Sequence, residues 1–543
     1  MSTDKNQKLQ REKLQARNFT KFGLDMNIFV SVVTAILVLG FIIYTISQPQ
    51  ASAAFFGGIN TFINQHFNWL YVVTINGALM YLVFLGFSKY GKIRLGGYTA
   101  KPSFSDTAWY SMMFSAGIGI GIFFYGVAEP IYHLSIPTAL DSPSNFDNFK
   151  VMFLNWGAHA WAIYGLLAIG LAYFSYNKGL PFAIRSLFYP LLKEKIYGIW
   201  GDIIDTVATL SVLFGLATSL GLGASQINAG LSYVFGVPNS SMVQLLLIVV
   251  ITFIATLSVV SGVSRGIKWL SEANIVVSAL LLLAITLIGP TVYVLSTYLS
   301  SLGVYLRDFL NIGLFTAIKP DDVAWQGSWT IFYWAWWISW APFVGTFIAR
   351  ISRGRTIRQV AFGILVVPTL AITFAMTILG ASGVFVNEKF GGVIQKAIDT
   401  NVATSMFEMF NYLTDSGFLQ IGLSIVTVIA ITIFFITSSD SGSLVVSSLT
   451  SGGLETPPKI QRVFWALMEG TIAIAVLLIG GEEALLTIQS AVVILGLPFA
   501  IILLMIMLSM GKELKKSYVK YNFNRNITLK RRLEKIDLDE EYK

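Results

Sequence analysis

The sequence predicts an all-α polytopic membrane protein with twelve transmembrane helices. Apolar residues make up 55% of the chain and charged ones only 12%, against roughly 25% charged in soluble domains. The mean hydropathy is +0.68. Apolar runs of the roughly 20 residues needed to cross a hydrocarbon core of about 30 Å recur along almost the whole length, leaving no room for a large soluble domain.

The spans are expected at about 26-48, 69-88, 107-134, 151-175, 200-234, 242-262, 270-297, 328-350, 359-383, 417-450, 462-480 and 484-510, each about long enough to cross. A polar segment, 1-25, precedes them. No small-residue cleavage site follows a short apolar core, so span 1 reads as a retained helix. The transporter body is then 26-510, and 511-543 is a charged tail. Of the 37 Lys and Arg residues, 32 fall on the segments that share a side with the two termini; Lys150, Arg307, Lys319, Lys389 and Lys396 are the other five. By the positive-inside rule both termini are cytoplasmic, in the plasma membrane, and the net charge of +8 meets anionic lipid rather than nucleic acid.

Span 3 contains "SAGIGIGIFFYGVAEP", Ser115 to Pro130. A glycine inside a helix costs on the order of 1 kcal/mol relative to alanine, so Gly117, Gly119 and Gly121 favour unwinding. Unwound backbone at that depth has to line a cavity or be buried in protein, and secondary transporters bind substrate and ion at such breaks. Close helix-helix packing uses small residues too, and the glycines alone leave both readings open. The stretches 298-318 and 391-414 carry apolar residues at helical spacing and suit helices lying along the outer surface.

Span 8 reads "WTIFYWAWWISWAPF", Trp329 to Phe343. On a helix Trp325, Trp329, Tyr333, Trp336, Trp337, Trp340 and Phe343 share an arc of about 120°. Trp325 and Trp329 fit an interfacial belt, whereas Trp336, Trp337 and Trp340 lie too deep for one. Span 4 adds Trp156, Trp161 and Tyr164. Several aromatic faces together form an attractive box for a cation, above all a quaternary ammonium, which donates no hydrogen bonds. An embedded enzyme is the rival class. With no cysteine, no HExxH and only His66, His133 and His159, the chain lacks thiol chemistry, disulfides and the common metal sets, and no cofactor is expected.

These segments resemble the betaine/choline/carnitine transporter family: "AGIGIGIFFYGVAEP" (Ala116 to Pro130), "WGAHAWAIY" (Trp156 to Tyr164), "WTIFYWAWWISWAPFVGTFIARISRGRTIRQ" (Trp329 to Gln359) and "FFITSSDSG" (Phe434 to Gly442). The resemblance implies a LeuT-like fold of two inverted five-helix repeats, about 107-297 and 328-510, after two extra N-terminal helices. No internal sequence repeat marks it independently. It implies a symporter by alternating access, with Trp336, Trp337 and Trp340 boxing the ammonium and Trp156, Trp161 and Tyr164 along the pathway. Ala116, Gly117, Gly119 and Gly121 would present backbone to the substrate. It also implies a sodium ion as coupling ion at Thr437 and Ser438 beside Phe434, completed by carbonyls near Ser115 and Ile118, and a possible homotrimer.

Choline-specific members tend to carry aspartate where this chain has Gly121. A zwitterion brings its own carboxylate, so glycine betaine, an osmoprotectant, is the expected substrate; proton-coupled choline transport, or more distantly carnitine, is the alternative. The positions of a second sodium site align with Val212 and Leu216, which offer no oxygen, with Ser211 and Thr218 as neighbours that could compensate. No arginine lies between Ile199 and Phe235, against the exchanger branch. Intramembrane acids carry a functional hypothesis by default; for Glu129 and Asp440 gating or proton coupling and structural capping both stay open. The tail's Lys530, Arg531 and Arg532 are candidates for contact with anionic lipid.

Overall fold

The structure is a computed structural model. It describes residues 12–541 apart from 118, 135, 138, 139, 141–145, 262, 263 and 480; the side chains of 114–117, 261, 264–269, 481–483, 485, 520, 521 and 524–541 also lie outside the description. Among the described residues, ten helices are long and apolar enough to cross a membrane. The remaining two expected spans are the broken span 3, as Asp106–Gly117, Ile120–Tyr125 and Glu129–Tyr132, and span 8, Phe332–Ile351.

Several boundaries differ from the expected ones. Span 2 runs Pro49–Phe87, about twenty residues longer than hydropathy marks, with only Gln48 between it and span 1, Ile28–Ser47. Its polar first half escapes a hydropathy window, yet Pro49 opens the helix at a position where a missing N–H is harmless. Span 7 stops at Ile288, because Gly289 and Pro290 interrupt it, and the outer amphipathic helix starts at Thr291 and runs to Leu314. Span 4 kinks at Gly157, between Asp147–Trp156 and Ala158–Ala172. The second outer stretch is two short helices, Val393–Thr400 and Ser405–Leu413. Span 12 and the tail form one helix, Gly481–Glu541; the side chains of Lys530, Arg531 and Arg532 lie outside the described residues.

The helices pack with the symmetry of a repeat. Span 5 (Ile199–Phe235) contacts spans 8, 11 and 12, and span 10 (Gly417–Thr450) contacts spans 3, 6 and 7; span 4 packs on span 8 as span 9 (Ile357–Lys389) packs on span 3. Spans 5 and 10, 6 and 11, and 4 and 9 also meet each other. Replacing each span by the one five places later therefore reproduces the arrangement. Five spans is an odd number, so the second repeat enters from the opposite side of the membrane.

The N-terminal segment from residue 12 and the base of the C-terminal helix are tied to one face. An N-terminal hairpin pairs Asn18 with Asn27 and Phe19 with Met26. Asn18 donates to the Ser451 carbonyl at 3.0 Å, the Asp25 amide to Gln461 Oε1 at 2.8 Å, and Asn27 to Asp202 Oδ1 at 2.9 Å. Asp202 also pairs with Arg17 and with the fully buried Arg185, each at 3.0 Å, and Arg185 reaches Asp205 at 2.5 Å. The base of the C-terminal helix is tied to the same face by Lys178 and Glu513 at 2.5 Å. On the opposite face, the buried Lys150 bridges Asp147 (2.8 Å) and Asp308 (3.1 Å), anchoring the amphipathic helix to span 4. Hydrogen bonds from Arg307 first, then Lys150, hold the Asp308 carboxyl down at about 2.

Candidate functional site

The glycine run of span 3 does break the helix. One helical stretch ends at Gly117 and the next begins at Ile120, with Gly119 fully extended at φ −146°, ψ −168°. The break faces the tryptophan span: a Cβ on Gly119 would lie 3.6 Å from Trp340 Cη2, and one on Gly121 would lie 2.8 Å from Trp156 Cη2 and 2.9 Å from Trp336 Cη2. Gly121 is therefore glycine because two indole rings occupy the space of any side chain. An aspartate there has no room in this conformation. Ile118 and the side chains of Ser115, Ala116 and Gly117 lie outside the described residues.

Trp336 and Trp337 stack with ring centroids 4.9 Å apart and planes 11° from parallel. Tyr333 continues the stack at 6.3 and 6.0 Å. Trp156 from span 4 meets Trp337 at 4.9 Å and 62°, and Tyr333 at 5.3 Å and 60°, turning a second wall against the first. The structure thus brings Trp156, Trp336, Trp337, Trp340, Gly119 and Gly121 together. Trp161 and Tyr164 lie further along span 4 and make an edge contact with each other at 5.6 Å. Trp329, only half-buried, packs on Tyr132 and His133 at 4.9 and 4.7 Å.

Each indole of the cluster is held by its N–H. Trp340 donates to the Gly215 carbonyl at 3.0 Å, Trp336 to the same oxygen at 3.3 Å, and Trp337 to the Asn155 carbonyl at 2.8 Å. Trp156 donates to Glu129 Oε2 at 2.7 Å. Gly215 on span 5 was not singled out in the sequence; a backbone carbonyl more than a hundred residues from the tryptophans leaves no composition signal.

Glu129 is fully buried and accepts four bonds: from Asn155 (2.9 Å), Trp156 (2.7 Å), Tyr333 (2.8 Å) and the His133 ring (3.3 Å). Its donors come from spans 3, 4 and 8 and fix the orientation of the carboxyl group. It ties Trp156 of one aromatic wall to Tyr333 of the other. Asp440 is ion-paired with Arg462 at 3.3 Å. His159 is buried and stacks on Trp334 at 5.9 Å.

At the expected ion site, the Thr437 hydroxyl donates to the Ile433 carbonyl at 2.9 Å and also approaches that of Phe434 at 3.3 Å. A hydroxyl that donates to its own helix keeps its lone pairs for a cation. Ser438 beside it is partly exposed, and Phe434 contacts Phe123 of span 3 at 6.0 Å. At the second position Val212 and Leu216 are buried aliphatics. Ser211 donates to the Leu495 carbonyl at 3.4 Å and Thr218 to that of Phe214 at 2.8 Å.

Comparison with known proteins agrees with this architecture. Residues 29–519 match the family model described as "BCCT, betaine/carnitine/choline family transporter". Glycine betaine transporter 1 of Vibrio parahaemolyticus is 41% identical over 508 residues, 92% of this chain and 95% of that one. A glycine betaine/proline/choline/ectoine transporter of the same organism is 39% identical over 514 residues, 93% of this chain and 90% of that one. Glycine betaine transporter OpuD of Bacillus subtilis is 39% identical over 492 residues, 90% and 93% of the two chains. With a family model spanning nearly the whole chain and full-length relatives at this identity, the protein is a membrane transporter of the betaine/carnitine/choline family.

Proposed function

We propose that this transporter is a symporter that imports glycine betaine with sodium by alternating access. One observation carries the substrate: the aromatic walls close on Gly121 so tightly that no carboxylate can stand at that position beside the ammonium. The nearby acid, Glu129, is already engaged by four donors. A lone cation would be desolvated without a counter-charge, whereas betaine carries its own. The aromatic faces then supply about 2 kcal/mol per desolvated cation–π contact, and the extended backbone at Gly119 can meet the carboxylate.

For the coupling ion, Thr437 and Ser438 supply hydroxyl oxygens next to the broken span 3, the arrangement in which alkali cations are held at helix interruptions. One sodium site is proposed, since Val212 and Leu216 fill the second with hydrocarbon. The 32 to 5 division of basic residues supports both termini in the cytoplasm of a plasma-membrane protein, with the basic face toward anionic lipid.

The test is uptake of labelled glycine betaine into proteoliposomes under an inward sodium gradient, with potassium substituted in parallel and unlabelled choline as competitor. Sodium-dependent accumulation is expected. Accumulation driven by a proton gradient alone, or of choline without betaine, would overturn the assignment.

A further inference from the structure

Span 4 is broken beside the aromatic walls, and the break holds one of their indoles. In a continuous helix the Asn155 carbonyl would accept from the amide four residues on, that of His159. Within that step Gly157 leaves the helix at φ −88°, ψ −141°, and the Asn155 carbonyl accepts Trp337 Nε1 at 2.8 Å. The angle between the two halves of span 4 therefore sets where this carbonyl stands, and Trp337 with it.

The outer amphipathic helix, Thr291–Leu314, lies across the break. Ahead of it the Tyr305 ring meets Phe153 edge-on at 5.9 Å and Asp308 pairs with Lys150 at 3.1 Å; beyond it Phe309 packs on His159 at 4.8 Å. At the break itself stands the Tyr305 hydroxyl: a Cβ on Gly157 would lie 3.1 Å from it and 2.4 Å from the Phe153 carbonyl oxygen. Tyr305 is fully buried, and the backbone N–H of Ala158 approaches its hydroxyl oxygen. That amide opens the second half of span 4, Ala158–Ala172, and has no acceptor within its own helix. We propose that Tyr305 is a positioning residue for the substrate site: its hydroxyl, seated on the Gly157 break, fixes the angle between the halves of span 4 and, through the Asn155 carbonyl, holds Trp337 in the aromatic wall. The outer helix thereby sets the geometry of a wall to which it does not belong. This rests on the betaine reading above.

The experiment measures initial uptake of labelled glycine betaine over a concentration series, giving KM and maximal rate, with a thermal melt of each sample. Tyr305→Phe keeps the ring and removes only the hydroxyl, so KM should rise about threefold to tenfold with the maximal rate and the melt near wild type. Trp337→Phe keeps an aromatic face but releases the Asn155 carbonyl. Groups that act through one another do not add, so in that background Tyr305→Phe should change KM by less than about twofold. Tyr298 lies on the same outer helix, touches Phe153 at 6.2 Å and donates to the Leu370 carbonyl at 3.3 Å; Tyr298→Phe removes a hydroxyl away from the break and should leave KM alone. Phe309→Leu loosens the far side of the brace and should raise KM in the same direction, which decides the matter if Tyr305→Phe fails to fold. An unchanged KM in Tyr305→Phe or in Phe309→Leu, an undiminished effect of Tyr305→Phe in the Trp337→Phe background, or an equal effect of Tyr298→Phe overturns the inference while betaine uptake by wild type stands. No betaine uptake by wild type refutes the betaine reading and this inference with it.

Discussion

The sharpest test of the site is Gly121→Ala. An added methyl would sit 2.8 Å from Trp156 Cη2 and 2.9 Å from Trp336 Cη2, well inside an ordinary van der Waals contact of about 3.5 to 4 Å. Neither ring moves freely, because Trp156 is bonded to Glu129 at 2.7 Å and Trp336 to Gly215 at 3.3 Å. Overpacking of this kind costs about 1 to 3 kcal/mol, and replacing a helical glycine by alanine returns about 1 kcal/mol, so the fold should survive. The rings, however, have to part. Losing one desolvated cation–π contact removes about 2 kcal/mol of binding, equivalent to an affinity loss of about 30-fold. Titrating glycine betaine against intrinsic tryptophan fluorescence, with a thermal melt of the same sample, separates the two effects. A betaine affinity within about twofold of wild type would refute the placement of the ammonium at the aromatic walls beside Gly121.

Other expectations follow from the same geometry. Trp340→Leu or Trp337→Leu should weaken betaine binding by about 30-fold per lost contact while leaving the melting temperature near wild type; binding titrations check this, and unchanged affinity in both removes the box. Glu129→Gln keeps the shape but replaces an acceptor of four bonds by an amide that must turn its NH2 toward donors, so transport should fall by about tenfold or more, read as initial uptake rate. Asp308→Asn takes one of two carboxylates from the buried Lys150, which keeps Asp147 and the Leu140 carbonyl, and should lower the melting temperature at neutral pH. Because the folded pKa of Asp308 is depressed, its contribution is present above the unfolded value of about 4 and is lost as pH falls toward about 2; melts across that window should show the variant and wild type converging.

What could be read ahead of the structure was what leaves a local signature. Hydropathy marked the spans, the alternating glycines marked the break at Gly119, and the spacing of Trp336, Trp337 and Trp340 marked one lining face. The unread parts depend on partners far apart in the chain. Nothing around Glu129 announces that Asn155, Trp156, Tyr333 and His133 converge on it, and nothing around Gly215 announces two indoles on one carbonyl. Span 2 was read short because its first half, through His66 and Asn68, is polar for a membrane helix; Asn68 finds its partner in the Ala317 carbonyl at 2.9 Å, which no local window contains.

The N-terminal hairpin has a consequence for how the protein is made. Asn18 leaves the ribosome long before Ser451, whose carbonyl it binds, and the amide of Asp25 waits for Gln461. Between them ten membrane helices are synthesised and inserted. A segment translated ahead of span 1 is therefore fastened only after span 10, and its docking reports that span 11 has arrived. A chain truncated before Ser451 would carry an unsecured hairpin, open to proteases and quality control at the membrane surface.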